Sequence, residues 1–311
     1  MNIPFQSIDE LPIGISSHAV LAAFSPFICA DATPSAHAAL LRHVRKKAIK
    51  KAVRRVWSGE GGLKSRKREI IFDEYESAWS RGFSAYDLSI GCARPEPWLY
   101  RGQPLMADRS GVPRFRSVFL AGVLRSLKPR RVLEVGCGNG INLLLLANAF
   151  PEVSFTGLEL TEAGNRVAKE LQSADALPEP LSRYIPEPQR DEQAFRRIDF
   201  RRGDATRMPF EDNEFDLVFT VLSVEQMERV RHEALTEIAR VSGGHVLNLE
   251  PFAEANRTMW RRLHVLVRDY FKGSIAHLPR YKLVPQWATM DFPQEVQLGA
   301  ALVLSRKRNP V

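Results

Sequence analysis

The chain has 311 residues, 44% of them hydrophobic and 26% charged. That balance can bury a core, and it excludes a collagen-like, a wholly disordered or a disulfide-dense chain. The net charge is +8, yet twelve Lys or Arg against Glu60 alone place +11 within residues 42–68, so the remainder carries −3. A near-neutral body with one basic segment predicts a single localised anionic contact rather than a uniform coat of nucleic acid. Cys29, Cys92 and Cys137 are odd in number, far apart and without a C-x-x-C pair. They predict no zinc site, no disulfide framework and a reducing, cytoplasmic compartment.

Residues 1–35 read as a leader of undefined role. The apolar run at 15–30 is broken by polar residues and Pro26, and is shorter than the roughly 20 residues of a membrane-spanning helix. Asp9 and Glu10 precede it with no Lys or Arg, so it is not a signal peptide. Residues 36–57 predict a helix. Leu41, Val44, Ala48, Ala52 and Val56 recur at three- and four-residue steps, with Leu40, Ile49, Val53 and Trp57 beside them and Arg or Lys on the other face. Such a helix either docks on its own domain with a solvated basic back, or lies on anionic lipid or another polyanion. Gly59, Gly61 and Gly62 end it. Residues 70–128 predict a mostly helical cap with Phe72, Tyr75, Trp79 and Tyr86.

After Pro129 strand and helix patterns alternate. Strands are predicted at 131–135, 153–159, 198–202, 215–221, 245–250, 281–289 and 296–305, and helices from near Ile141, Thr161, Gln226 and Glu254. This predicts an α/β fold: a doubly wound, mostly parallel seven-stranded sheet with an N-terminal helical extension. Residues 173–193, with Pro178, Pro180, Pro186 and Pro188, read as an excursion. The expected divisions are 1–69, 70–128 and 129–311.

The sharpest signal is Val132-Leu133-Glu134-Val135-Gly136-Cys137-Gly138-Asn139-Gly140, an apolar strand running into a glycine turn and then an apolar helix. Glycine permits the tight turn and close approach of a ligand to the backbone. Gly140 stands one position too early for the dinucleotide spacing, and neither Lys nor Ser follows it as in a phosphate loop. Glu134, two residues before the first glycine, suits a ligand with positive charge or several donors. Glu159, ending the next strand, can accept from both hydroxyls of a ribose. Asp204 can accept from an exocyclic amine such as adenine N6, with Ala205 as a backbone donor.

These segments resemble the class I S-adenosylmethionine-dependent methyltransferases, in particular the type 11 branch of small-molecule and lipid enzymes, over about residues 130–250. VLEVGCGNG is similar to the family's first motif, FTGLEL to its acidic strand end, GDATRMPFEDNEFDLVFTVLSVEQM to its adenine and fourth-strand region, and ARVSGGHVLNLEP to its fifth-strand entry. The resemblance implies a Rossmann-like class I methyltransferase fold with S-adenosyl-L-methionine as cofactor and no metal. It implies that Glu134 and the backbone of Gly136, Cys137, Gly138, Asn139 and Gly140 hold the methionine moiety. Glu159 would hold the ribose, Leu160 would pack on the adenine, Asp204 and Ala205 would bind its edge, and Thr220 and Val221 would floor the sulfonium.

The implied reaction is methyl transfer to a small-molecule, lipid-linked or sugar acceptor. The alternatives are a non-catalytic cofactor-binding regulator or assembly protein, or an RNA or protein methyltransferase gripping a polyanion through residues 42–68. Where many relatives carry His after the fourth strand, this chain has Gln226, which cannot act as a base; Glu225 beside it is the candidate catalytic residue. Acceptor walls are expected from residues 70–105 and 254–281, the latter with Met259, Trp260, Leu263, Leu266, Tyr270 and Phe271 at helical spacing. The expected location is cytoplasmic, at the inner face of a membrane if the basic segment meets lipid.

Overall fold

A computed structural model describes residues 4–29, 33–57, 68–81, 90–182 and 187–308. In chain order these form α1 (Ser17–Phe24), α2 (Pro34–Trp57), α3 (Arg68–Trp79), β1 (Pro95–Tyr100), β2 (Gln103–Asp108) and α4 (Val112–Leu127). There follow β3 (Arg131–Val135), α5 (Ile141–Ala147), β4 (Ser154–Glu159), α6 (Glu162–Ser173), the single turn α7 (Glu179–Ser182) and β5 (Asp199–Arg202). The rest comprises β6 (Phe215–Val221), α8 (Arg231–Val241), β7 (Ser242–Glu250), α9 (Met259–Arg268), β8 (Leu283–Thr289), β9 (Gln294–Glu295) and β10 (Ala301–Lys307). Gly59, Gly61, Gly62, Lys64, Arg66, Lys67, Tyr86 and Pro186 of the sequence reading lie outside the described residues.

The main sheet has seven strands in the order β5-β4-β3-β6-β7-β10-β8. The first five are mutually parallel, and β10 runs antiparallel between β7 and β8. The seven-stranded, mostly parallel expectation is therefore met. β3 is an interior strand, and its Val132, Leu133, Glu134 and Val135 are all buried, as a strand covered on both faces requires. The chain winds outward from β3 to β5, then returns to place β6 on β3's other side. That reversal leaves a crevice at the carboxyl ends of β3 and β6.

The mostly helical expectation for residues 70–128 needs correction. A hairpin, β1–β2, interrupts it, and β9 extends it to a three-stranded sheet. Its two-residue turn is Arg101-Gly102, with φ 47° and 77°. Both central residues take positive φ, as the tight hairpin turn demands, although only one of them is glycine. The helix expected from Gln226 begins at Arg231; residues 224–226 form a 3-10 turn instead, because Glu250 holds their backbone. The last strand starts at Ala301 rather than 296, since Gln294 and Glu295 pair with β1.

Residues 4–29 do not behave as a loose leader. Ile8, Leu11, Ile13, Val20, Phe24 and Phe27 are buried, and the Phe24 ring packs edge-on against Trp98 and Phe115, each at 5.4 Å. Phe5 and Ile28 make isolated β-bridges to Ala288 and Ala107. The cysteine reading is corrected as well. Cys29 and Cys92 are joined by a disulfide across 63 residues, with their Cα atoms 5.4 Å apart. The backbone N–H of Cys29 donates to Met106 O in the hairpin, and the N–H of Arg94 donates to Asp108 there. Two chain-distant segments thus meet on one hairpin, which sequence spacing could not reveal. The cysteine argument for a reducing compartment falls with it. Among the described residues, no helix is long and apolar enough to cross a membrane.

Candidate active site

A cavity of about 610 Å3 opens at the carboxyl edge of the sheet between the β3 and β6 ends. That volume suits a small-molecule site. The loop after β3 forms its floor. Gly136 and Gly138 adopt φ of 74° and 56°, a region L side chains rarely enter. A Cβ on Gly136 would lie 2.5 Å from the Ser223 Cβ, and one on Gly138 would lie 2.6 Å from the Trp79 ring. The Ser223 hydroxyl donates to Val135 O at 2.7 Å, closing the β3 loop against the β6 loop.

Three buried carboxyls border this floor in different electrostatic settings. Glu159 is the best satisfied: its Oε2 accepts from the N–H of Gly138 at 2.9 Å, and its Oε1 from the N–H and hydroxyl of Thr161 at 2.9 and 2.6 Å, which leaves one acceptor position on Oε2. It clamps the glycine loop to the start of α6. Glu134 is half-satisfied. Its Oε1 accepts from Asn142 Nδ2 at 2.6 Å, while Oε2 is buried without a partner. Burial pushes its pKa up to about 8, and the charge of Glu159 adds to the effect.

Glu225 is the third, 7% exposed and on the cavity wall. Its Oε1 accepts from Gln226 Nε2 at 2.7 Å, and its Oε2 is buried without a partner. Burial, then the Glu250 charge, pushes it up to about 8. Glu250, at the end of β7, accepts from the backbone N–H groups of Ser223, Val224 and Glu225 at 3.0–3.1 Å. The turn that carries Glu225 therefore hangs from one buried carboxylate. Gln226, in the position where histidine was expected, holds Glu225.

The structure brings most of the sequence-derived residues to the cavity: Glu134, Gly136, Cys137, Gly138, Glu159, Leu160, Asp204, Ala205, Val221 and Glu225 all line it. Asn139, Gly140 and Thr220 do not. Asn139 Oδ1 accepts from Ile141 N–H at the start of α5, and the Thr220 hydroxyl accepts from Asn248 Nδ2 at 2.9 Å beneath the floor. The Cys137 sulfur lies against Gly157 of β4, and burial pushes its thiol well up. Of the two expected acceptor walls, residues 70–105 contribute Ile71, Phe72, Tyr75, Trp79, Arg94 and Glu96. Residues 254–281 contribute none to the lining; Met259 and Leu266 face outward instead.

Several lining residues escaped the sequence reading. Asp108, Arg109 and Arg116 arrive from the hairpin and α4, Met227 and Arg229 from beyond β6, and Glu295 from β9. Arg109 pairs with Glu96 at 3.3 Å and Glu295 at 3.1 Å, so the far wall is charged but internally balanced. The unforeseen hairpin and β9 supply Asp108 and Glu295, and Arg109 follows directly on the hairpin. Among the described residues, no cluster of His, Cys, Asp or Glu could hold a metal.

The family model for the methyltransferase domain matches residues 133–247, the span from the glycine loop to β7. A phthiotriol/phenolphthiotriol dimycocerosates methyltransferase of Mycobacterium ulcerans is 34% identical over 125 residues, covering 39% of this chain and 37% of the relative. A fatty-acid O-methyltransferase of Mycolicibacterium smegmatis is 31% identical over 135 residues, covering 43% and 41%. The chain thus spans well under half the length of either relative. In fold it is similar to the [4+2]-cyclase SpnF, with a TM-score of 0.55 at 16% identity over 79% of this chain and 98% of that one. Residues 133–247, from the glycine loop to β7, are therefore similar to a methyltransferase domain.

Proposed function

We propose that the chain transfers a methyl group from S-adenosylmethionine to a hydroxyl of an apolar, lipid-like acceptor, with Glu225 as the base. The observation that carries this reading is Glu225 itself. It is a buried carboxyl with one unpartnered oxygen, in the same cavity as the glycine loop. The relatives named for phthiotriol/phenolphthiotriol dimycocerosates and fatty-acid methylation support a lipid-like acceptor. So does the wall of Ile71, Phe72, Tyr75, Trp79, Val112 and Met227.

The residues fit the cofactor. The orphaned Glu134 Oε2 is suited to an ammonium, which would restore its charge in a site that now disfavours it. Glu159 is placed to accept a ribose hydroxyl through its remaining acceptor position, Leu160 to pack on a flat ring, and Asp204 and Ala205 to bind its edge. S-adenosylmethionine, when bound, supplies a methyl group on a sulfonium. Glu225 takes the proton from the acceptor hydroxyl as that oxygen becomes nucleophilic, through the Oε2 atom that no protein group occupies. Gln226 fixes the orientation of the carboxyl by holding Oε1, and Glu250 fixes the turn. The apolar wall excludes water and holds the hydroxyl in line. We assign cofactor binding to residues 129–311, acceptor capping to 70–128 and, within 1–69, surface attachment to the basic amphipathic helix α2.

Tritium transfer from labelled S-adenosylmethionine to long-chain alcohols, alkylphenols and fatty acids tests this. Methylation of the hydroxyl acceptors that falls about 10²- to 10⁴-fold in Glu225→Gln is expected, with cofactor affinity within twofold of wild type. Equal turnover by the variant would remove Glu225 from the role of base.

A further inference from the structure

The two faces of α2 have different surroundings. Leu41, Val44 and Ala48 are half-buried and His37 is buried, with a His37 ring nitrogen 3.4 Å from Trp98 O in β1. This row docks on the hairpin and on α9. Ile49 and Val53, one turn apart, lie on the opposite side and are 44% and 52% exposed. Lys46 stands three residues before Ile49, and Lys50 three before Val53, so both lysines share that outward face; both are exposed. Helix α9 repeats the pattern: Met259 and Leu266, seven residues apart on one face, are 71% and 42% exposed with the exposed Arg262 between them. The two helices touch through Arg45, whose guanidinium lies 5.2 Å over the Trp260 ring. Arg45 is one turn from Ile49, and Trp260 adjoins Met259.

We propose that the outward faces of α2 and α9 together form a docking surface for an anionic lipid bilayer, which presents the apolar acceptor to the cavity. This rests on the methyltransferase reading with a lipid-like acceptor. Charge complementarity selects the occupant: α2 carries eight Arg or Lys and no Asp or Glu. Four aliphatic side chains set among cations select a bilayer over RNA. Lysine stems can lie along the acyl boundary with their ammonium groups at lipid phosphates, while Ile49, Val53, Met259 and Leu266 enter the apolar layer. A nucleic-acid backbone offers aliphatic groups nothing comparable. The surface adjoins the cavity, because the hairpin and β9 supply Glu96, Asp108 and Glu295 to its wall, and α9 is tied to β9 by Arg261 Nη2 donating to Glu295 O at 2.8 Å.

Flotation of the full chain with phosphatidylcholine vesicles containing 30% phosphatidylglycerol, against pure phosphatidylcholine, is the test. Binding should require the anionic lipid and weaken at least tenfold between 0.05 and 0.5 M NaCl, since each cation near the surface contributes up to roughly fivefold and salt shortens its reach. Ile49→Ser/Val53→Ser and Met259→Ser/Leu266→Ser should each weaken vesicle binding at least tenfold, as should Lys46→Glu/Lys50→Glu. All three variants should keep wild-type turnover on detergent-dispersed alkylphenol. Absence of vesicle binding with that turnover intact would overturn the docking surface and leave the methyltransferase reading standing. Vesicle binding without turnover would do the reverse. Tight single-stranded RNA binding, unchanged by the serine variants and with no vesicle binding, would also overturn it.

Discussion

The cofactor side and the acceptor side of the cavity are built by different means. On the cofactor side, backbone atoms and strand ends do the positioning. Gly136 and Gly138 fix the loop by φ, and Glu159 ties it to α6 through three hydrogen bonds. On the acceptor side, separate pieces converge: α3, the β1–β2 hairpin, β9 and a 3-10 turn hung from Glu250. The first arrangement is local in sequence and tolerates little change. The second depends on long-range packing and can vary without disturbing the first.

The sharpest break in that contrast should come from Gly138→Val. A β-branched residue at φ 56° is strained, and its Cβ would meet the Trp79 ring at 2.6 Å. Cofactor affinity should fall about 100-fold or more while the far-ultraviolet circular dichroism spectrum is retained. Normal affinity in the folded variant would show that loop geometry is not what makes the site. On the other side, Glu250→Gln should lower turnover about tenfold, because the turn carrying Glu225 loses a charged acceptor for three N–H groups. Its cofactor affinity should stay within twofold; an equal loss of both would merge the two halves into one unit.

A third, smaller effect separates two carboxyls by pH. Glu225 must be ionised to act as a base, and its pKa stands at about 8, so turnover under saturating cofactor should rise with pH up to about 8 and then level. Glu225→Gln should flatten that rise. The same shift has a stability consequence of opposite direction. The folded protein keeps a proton on Glu225 that the unfolded chain releases near pH 4.5, so its contribution is complete below that pH and declines as pH rises toward 8. The slope of ligand-free stability against pH over 5–8 should be shallower in Glu225→Gln by up to about 1.4 kcal/mol per pH unit. Identical slopes in chemical denaturation would mean that the carboxyl is not buried in solution.

The same contrast decides what could be read without coordinates. β3 and β6 are found at their predicted bounds because an apolar run covered on both faces carries its own signature. Glu134, Glu159 and Asp204 were legible because each follows or ends a strand beside a turn. Asn139 and Thr220 belong to the same motifs but their side chains turn away from the cavity, since a motif specifies backbone and only packing decides where each side chain points; Gly140 lies against Phe200 instead. The hairpin was missed because its turn holds Arg101 at positive φ where a glycine or asparagine would have announced it. The Cys29–Cys92 disulfide and the Arg109 pairing with Glu295 join segments 63 and 186 residues apart, which local pattern cannot encode. For α2, the sequence shows one apolar stripe; the structure divides it into a docked row and an outward row of Ile49 and Val53.

Calorimetric titration of the full chain with S-adenosylmethionine, for wild type and Glu159→Ala, tests whether the β3 loop and the β4 end together hold the cofactor. One site per chain is expected in the wild type. A loss of roughly 1.5–3 kcal/mol is expected in the variant, about 10- to 150-fold, because a charged acceptor is removed from both the ligand and the glycine loop. Binding of equal strength in the two proteins, or none in the wild type, would contradict this placement of the cofactor.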